Sequence, residues 1–435
     1  MRTTTWTIAL LAILSARVAH AQDLTGDWQG TLALGGRNIR LVVHIDKAPG
    51  GAWTATFDAI DRSQDRGITS SVESITVQGS DFTFTQAPQR GGGSFDGKIS
   101  ADGNAIVGTW NRSQGQPLPL EFRRATPATA WGHPSPHSIQ FVVVEPGVKL
   151  EVLDWGGPSD GRGRPLVMLA GVGATAHNFD QFAAKLVMQF HVWGITRRGF
   201  GASSGLTPGI SADRLGDDVL AVLDALKINR PILVGHSIGG QELSSIGSRH
   251  PDRVAGLIYL DAGYSYALYD KTHGDLYIDA LDVRRKLEQL RCCGASQDPQ
   301  AMRDLLETLL PQLEKDLKAQ QTLPVAPPPP GGFSQPDAAV QAIVDSQQKY
   351  TNIPVPILAI FAVPHDLGST AAATPEARAA QEAADEAITG AQAGAFERAL
   401  PSVRVVRIPH ADHFVFRSNE ADVLREMTAF IAGLR

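Results

Sequence analysis

The sequence predicts a two-part protein. A mainly parallel, doubly wound α/β sheet with a helical cap is preceded by a smaller all-β, barrel-like unit. Three observations carry this expectation. From Asp23 to about Arg124, short alternating apolar runs are separated by Gly, Asp, Ser and Asn, the texture of antiparallel strands and turns. From residue 139 to 435, short continuous apolar runs alternate with helical patterns, as strands buried on both faces and their covering helices require. Between these regions, residues 125–138 carry Pro127, Pro134 and Pro136 and read as a linker.

Taken in order, the chain opens with Arg2, the apolar run Trp6–Leu14 and the small-residue site Ala19-His20-Ala21. That pattern predicts a cleavable signal over residues 1–21, with Gln22 as the mature start and a secreted or periplasmic protein. The run is well short of the roughly 20 residues that cross a bilayer. No cysteine follows the cleavage site, so no lipid or membrane anchor is expected.

Residues 22–124 contain the strand-like runs Arg40–Ile45, Trp53–Phe57 and Phe82–Thr85. Gly26-Asp27-Trp28 stands near the start and Gly108-Thr109-Trp110 near the end. The two tryptophans read as core residues closing a barrel, with a sugar-stacking platform as the alternative.

Pro231–Gly240 reads PILVGHSIGG, an apolar strand running into Gly235-His236-Ser237-Ile238-Gly239 and then a helix. A serine lifted onto so sharp a turn needs glycines two before and two after it, because Cβ atoms there would collide with neighbouring backbone. An insertion over residues 262–352 follows the strand Leu257–Leu260, with helical stretches at Asp275–Leu290 and Met302–Gln320. The run Pro324–Gly332 is expected to be a stiff connector, with a docking motif as the alternative. Tyr264, Tyr266 and Tyr269 are read as pocket or cap-base residues, or as simple packing between cap and core. Two further strands, Val355–Phe361 and Val403–Ile408, are each followed by a loop with titratable groups: Asp366 after the first, His410, Asp412 and His413 after the second. An amphipathic helix from about Ser418 closes the chain.

The 435 residues are 43% hydrophobic and 19% charged with net charge −6, ordinary globular material without the basic surface of a nucleic-acid binder. The two cysteines, Cys292 and Cys293, are neighbours about 3.8 Å apart at Cα, a span that strains a disulfide, so free thiols are expected. No Cys/His spacing suggests a metal and no dinucleotide fingerprint follows a strand, so no cofactor is expected.

Residues from about Phe141 to Arg435 resemble an α/β-hydrolase domain, and residues 22–124 resemble the small lipocalin-like domains that precede some secreted hydrolases. The first resemblance implies Ser237 as nucleophile and His413 as its base, with His410 as the alternative. It implies Asp366 as the acid, with Asp261 and Asp412 as alternatives. Asp366 sits in Ala362-Val363-Pro364-His365-Asp366, which lacks the family's usual glycine. The backbone amides of Val172 and Ile238 would form the oxyanion hole. The implied function is hydrolysis of a small-molecule carboxylic ester through an acyl-enzyme, with amide or aminopeptidase-type cleavage by the same residues as the alternative. Other readings are a non-catalytic receptor and a β-unit that contacts a polymer or glycan.

Overall fold

The computed structural model describes residues 23–434 except 35–36, 49, 60–68, 87–92, 113–115, 127–128, 130–136, 162, 292–297, 322–337, 369–373 and 401. The segment 1–21 expected to be a cleavable signal, Cys292, Cys293 and the polyproline run therefore lie outside the described residues.

The N-terminal unit is a closed antiparallel barrel of β1 (Gly26–Leu34), β2 (Arg37–Lys47), β3 (Trp53–Ala59), β4 (Thr69–Gln78), β5 (Asp81–Gln86), β6 (Gly93–Ile99), β7 (Ala105–Arg112) and β8 (Leu118–Arg124). It closes where Trp28 on β1 pairs with Arg124 on β8. Eight strands leave an interior just wide enough for side chains to fill, and here aromatic rings fill it. Phe95 packs edge-on against Phe122 at 5.1 Å, and Phe57 stacks on Trp110 at 5.4 Å. Trp28 is fully buried and Trp110 is 6% exposed, so both belong to this core and neither offers a ring to a sugar. Trp28 donates its indole N–H to Leu24 O at 2.9 Å, and the Arg124 guanidinium lies over its ring.

The second unit is built on an eight-stranded sheet in the order β16-β15-β14-β13-β11-β12-β10-β9. Its strands are β9 (Ser138–Glu145), β10 (Val148–Gly156), β11 (Arg164–Leu169), β12 (Phe190–Ile195), β13 (Ile232–His236), β14 (Gly256–Leu260), β15 (Ile357–Ala362) and β16 (Val403–Ile408). β9 and β10 run antiparallel at one edge, and β11 to β16 are parallel. The central strands β13, β14 and β15 are buried at every position, which is why they read as unbroken apolar runs.

Helices cover both faces. On one lie α1 (Ala212–Leu226) and α2 (Gly239–Arg249), with Val219, Val222 and Leu223 joining Leu243 and Ile246 in the core. Ser211 caps α1 by accepting the Arg214 N–H. On the other face Phe179, Phe182, Val423, Met427 and Ile431 form the second core layer. The last three belong to the C-terminal helix, α8 (Glu420–Gly433).

The cap contains α3 (Leu276–Arg291), α4 (Pro299–Arg303), a π-helical segment Asp304–Leu309, α5 (Leu310–Gln320) and α6 (Ala338–Asp345). Its chain leaves after β14 and returns at β15. Lys349 ties its base by bridging Asp279 and Asp282, and Tyr269 donates to Asp279 at 2.7 Å.

One long helix, α7 (Pro375–Ala399), was not legible as an element between the last two strands. Its apolar positions are mostly alanine, too small to draw a clear stripe. The usable signals were alanine's helix propensity, Thr374 as cap and Pro375 at the first turn.

Candidate active site

Strand β11 lies between β12 and β13, so the chain leaves it in opposite directions and a crevice opens at the carboxyl ends of β11 and β13. The loop 170–173 and the turn at Ser237 both emerge there. Ser237 has φ +51°, the left-handed backbone of a sharp strand-to-helix turn. The sterics explain the flanking glycines: a Cβ on Gly235 would stand 2.9 Å from the backbone of Gly239, and one on Gly239 would stand 2.8 Å from Leu169 O. A Cβ on Gly171 would come within 3.1 Å of Ser237 Cβ, so the loop carrying Val172 lies directly beside the serine. Ile238, on the other side, is 4% exposed and packs with Val172 and Phe200.

His413 stands in the loop after β16, its side chain partly exposed. Its Nδ1 lies 2.6 Å from Oδ2 of Asp261. A carboxylate only accepts, so Nδ1 carries the proton and Nε2 is left as the basic nitrogen. The residue ahead of the serine braces this histidine: buried His236 places Nε2 3.0 Å from His413 O, with ring centroids 4.7 Å apart. Burial, followed by the neighbouring His413, pulls His236 down to about 3, so it is a neutral donor to that carbonyl.

The acid beside His413 is Asp261, which corrects the expectation of Asp366. Asp261 terminates β14 with φ +44° and is fully buried. Asp366 is exposed, and its Oδ1 accepts the Gly368 N–H at 3.0 Å. The loop after β15 continues the parallel ladder through a bridge between His365 and Ala411. Successive side chains of an extended chain point to opposite sides, and His365 takes the side facing Asp261, which turns Asp366 outward. Asp412 is also exposed and accepts the Phe414 N–H at 2.7 Å. His410 is exposed.

Asp261 is densely held. Oδ1 accepts the Ala362 N–H at 3.0 Å, while Oδ2 receives His413, His365 at 2.7 Å and the Tyr264 hydroxyl at 2.9 Å. Burial alone would raise its pKa, but the hydrogen bonds from His365 and His413 outweigh it and hold the carboxyl well below the usual range. Tyr266 faces Ser237: burial raises its phenol well above the ordinary value, with the Ser237 hydroxyl among the groups acting on it.

Sequence reading missed two contributions. His365 was read only as part of an irregular loop. Arg197 pairs with Glu242 of α2 and donates to Ala170 O at 2.9 Å and Gly171 O at 3.3 Å. It therefore fastens the Val172 loop to the helix that carries the serine turn. Burial of this pair shows only in three dimensions, since Arg197 and Glu242 are 45 residues apart.

Two groups among the described residues converge closely enough to hold an ion by spacing: Asp261 with His365 and His413, and His137 with His177 and Asp180. In both, the donors are turned into ion pairs with one another. The second group is a buried charge cluster. His177 lies 3.3 Å from Asp180 and 3.6 Å from Glu151, and Trp155 donates to Asp180 at 2.8 Å. Burial alone would lower His177, but the hydrogen bonds to Asp180 and Glu151 override it and push it up to about 10. That value lies above the ordinary one near 6.5, so the stabilisation is complete below about pH 6.5 and is lost as pH rises through about 10. His177→Gln leaves two buried carboxylates short of their cation and is expected to cost about 3–5 kcal/mol at pH 6. Urea melts of both proteins at pH 6 and pH 9.5 check this: the gap should shrink at the higher pH.

Among known proteins, the alpha/beta hydrolase family profile matches residues 166–426. The chain is 23% identical over 281 residues to 2-(acetamidomethylene)succinate hydrolase of Mesorhizobium japonicum, covering 62% of this chain and 89% of that one. It is 33% identical over 125 residues to the bifunctional esterase/perhydrolase DCH of Acinetobacter calcoaceticus, 28% of this chain and 44% of that one. The chain spans less than half the length of several curated relatives it matches. A crystal structure of E-2-(acetamidomethylene)succinate hydrolase covers 68% of this chain and all of its own at 20% identity, with a TM-score of 0.42. The family match takes in more than half of the chain, including the serine turn and the loop with His413, and so the protein belongs to the alpha/beta hydrolase family of hydrolytic enzymes.

Proposed function

We propose that the protein is a secreted serine hydrolase that cleaves a carboxylic ester by acyl transfer through Ser237. The observation that carries this reading is the Asp261–His413 pair at 2.6 Å, set at the same sheet edge as a serine held at φ +51°. In the first half-reaction, Ser237 Oγ attacks the ester carbonyl carbon while His413 Nε2 takes its proton. The carbonyl oxygen gains the negative charge and meets the amides of Val172 and Ile238. Collapse expels the alcohol, which leaves with the proton from His413. In the second half, His413 deprotonates a water that attacks the acyl-serine, releasing the acid and restoring Ser237. Asp261 holds the imidazole in the tautomer that both halves need.

An ester with an apolar acyl group suits the surroundings. Val172, Ile238, Phe200, Tyr266, Val340 and Ile343 form a continuous apolar cluster in which cap helix α6 meets the core beside the serine turn. Amide cleavage uses the same residues and is the second reading. A panel of chromogenic acyl esters of graded length, assayed beside aminoacyl arylamides, separates them. Ester turnover with an optimum at short to medium apolar acyl chains supports the first reading, and arylamide turnover above ester turnover overturns it. Secretion is tested by N-terminal sequencing of the mature protein, expected to begin at Gln22. Among the described residues, no helix is long and apolar enough to cross a membrane.

A further inference from the structure

We infer that His365 is a second imidazole on the triad acid, a fixed cation that aims Asp261 at His413 and offsets part of the negative field that His413 meets. This rests on reading Ser237, Asp261 and His413 as the triad. His365 sits between two carboxylates. Its Nε2 lies 2.7 Å from Asp261 Oδ2, and its Nδ1 lies 2.9 and 3.0 Å from the oxygens of Asp385 on α7. Its backbone N–H also donates to Asp385, at 2.7 Å. With both ring nitrogens facing acceptors, both must donate, and only the imidazolium can do that. Burial alone would lower its pKa, but Asp261 and Asp385 push it up to about 10, so the ring stays charged across the working range of a hydrolase.

The consequence for His413 is electrostatic. The two imidazoles converge on one carboxylate oxygen with ring centroids 6.1 Å apart. A carboxylate alone puts its full negative field on an imidazole hydrogen-bonded to it. The charge on His365 offsets part of that field while leaving the hydrogen bond that orients Nδ1. The other groups facing His413 do not replace it: Tyr264 and His236 are neutral, and Arg417 stands over Phe414 and Phe416. Asp385 would add a second uncompensated negative charge if His365 lost its own. His365 touches no reacting atom and is a positioning residue.

His365→Gln keeps an N–H for Asp261 and removes the charge; His365→Lys keeps a charge and changes the shape. For a soluble short-chain ester, the acid limb of the kcat/KM profile should move up by about one pH unit in His365→Gln. It should stay near the wild-type position in His365→Lys, even where kcat falls. A merely structural role would lower kcat or the melting temperature in both variants and leave the limb where it is, and that result overturns the inference. The downfield proton NMR resonance of the Asp261–His413 hydrogen bond needs no substrate. Its pH transition should move upward in His365→Gln alone, and an unmoved transition is decisive against the inference. Should the wild type turn over no ester or amide, the triad reading fails, while this resonance still decides the role of His365.

Discussion

Ser237→Ala is expected to lower kcat by about 10^4- to 10^6-fold, down to what binding and the oxyanion amides provide alone. The methyl group is smaller than the hydroxymethyl it replaces and alanine can keep the turn, so fold and melting temperature should change little. The left-handed φ of +51° is already tolerated by a non-glycine residue there. A fluorophosphonate should label the wild type at Ser237 and leave the variant unlabelled. Labelling that persists in Ser237→Ala moves the nucleophile elsewhere, with Ser203 and Ser204 as the rivals. The structure weakens both: Ser203 is buried and donates to Thr196 O at 2.6 Å, and Ser204 Oγ accepts the Lys149 N–H at 3.0 Å.

Asp261→Asn carries the next largest effect, a loss of about 10^4-fold in kcat with KM for a small ester nearly unchanged. The amide can offer N–H to His413 Nδ1, which favours the tautomer with the proton on Nε2, where the base must accept one. Asparagine is the mildest replacement for this site, because it tolerates the left-handed backbone that Asp261 adopts at φ +44°. The same change removes the shared acceptor of His365 and Tyr264, so some loss of stability accompanies it. Asp366→Asn should leave kcat within a few-fold of the wild type, since an exposed carboxylate that accepts only a local loop N–H has little to lose. A near-dead Asp366→Asn beside an active Asp261→Asn would return the acid to the loop after β15.

These two variants also mark where sequence reading stopped. Ser237 was legible because its constraint is local. A turn from strand to helix within five residues needs glycines at fixed offsets, and the pattern Gly235-x-Ser237-x-Gly239 is the direct record of that steric demand. The sheet was legible for a similar reason, as strands buried on both faces must be apolar along their whole length. Apolar runs place Val172, Ile238 and His413 at strand ends or a helix start, and the roles expected of them come from the resemblance to the α/β-hydrolase family. The aromatic filling of the barrel was foreshadowed by Trp28 and Trp110, although the closure between β1 and β8 joins residues nearly a hundred positions apart.

The acid was a different kind of problem. Asp261 and Asp366 each follow a parallel strand, neighbours in the sheet, and either carboxylate lies at the correct edge. What separates them is the direction of one side chain, set by the bridge from His365 to Ala411 and by the turn at Asp261. A shift of one residue along an extended loop reverses which side chain faces the site, and nothing in composition or periodicity records that choice. Arg197 with Glu242, and His365 with Asp385, are likewise pairings between distant segments. By itself the sequence determined the fold class and the serine turn, because each follows from short-range sterics or burial, while the family resemblance pointed to His413. Only the tertiary structure decided which carboxylate meets His413 and which charges surround it, because those depend on how separate loops converge.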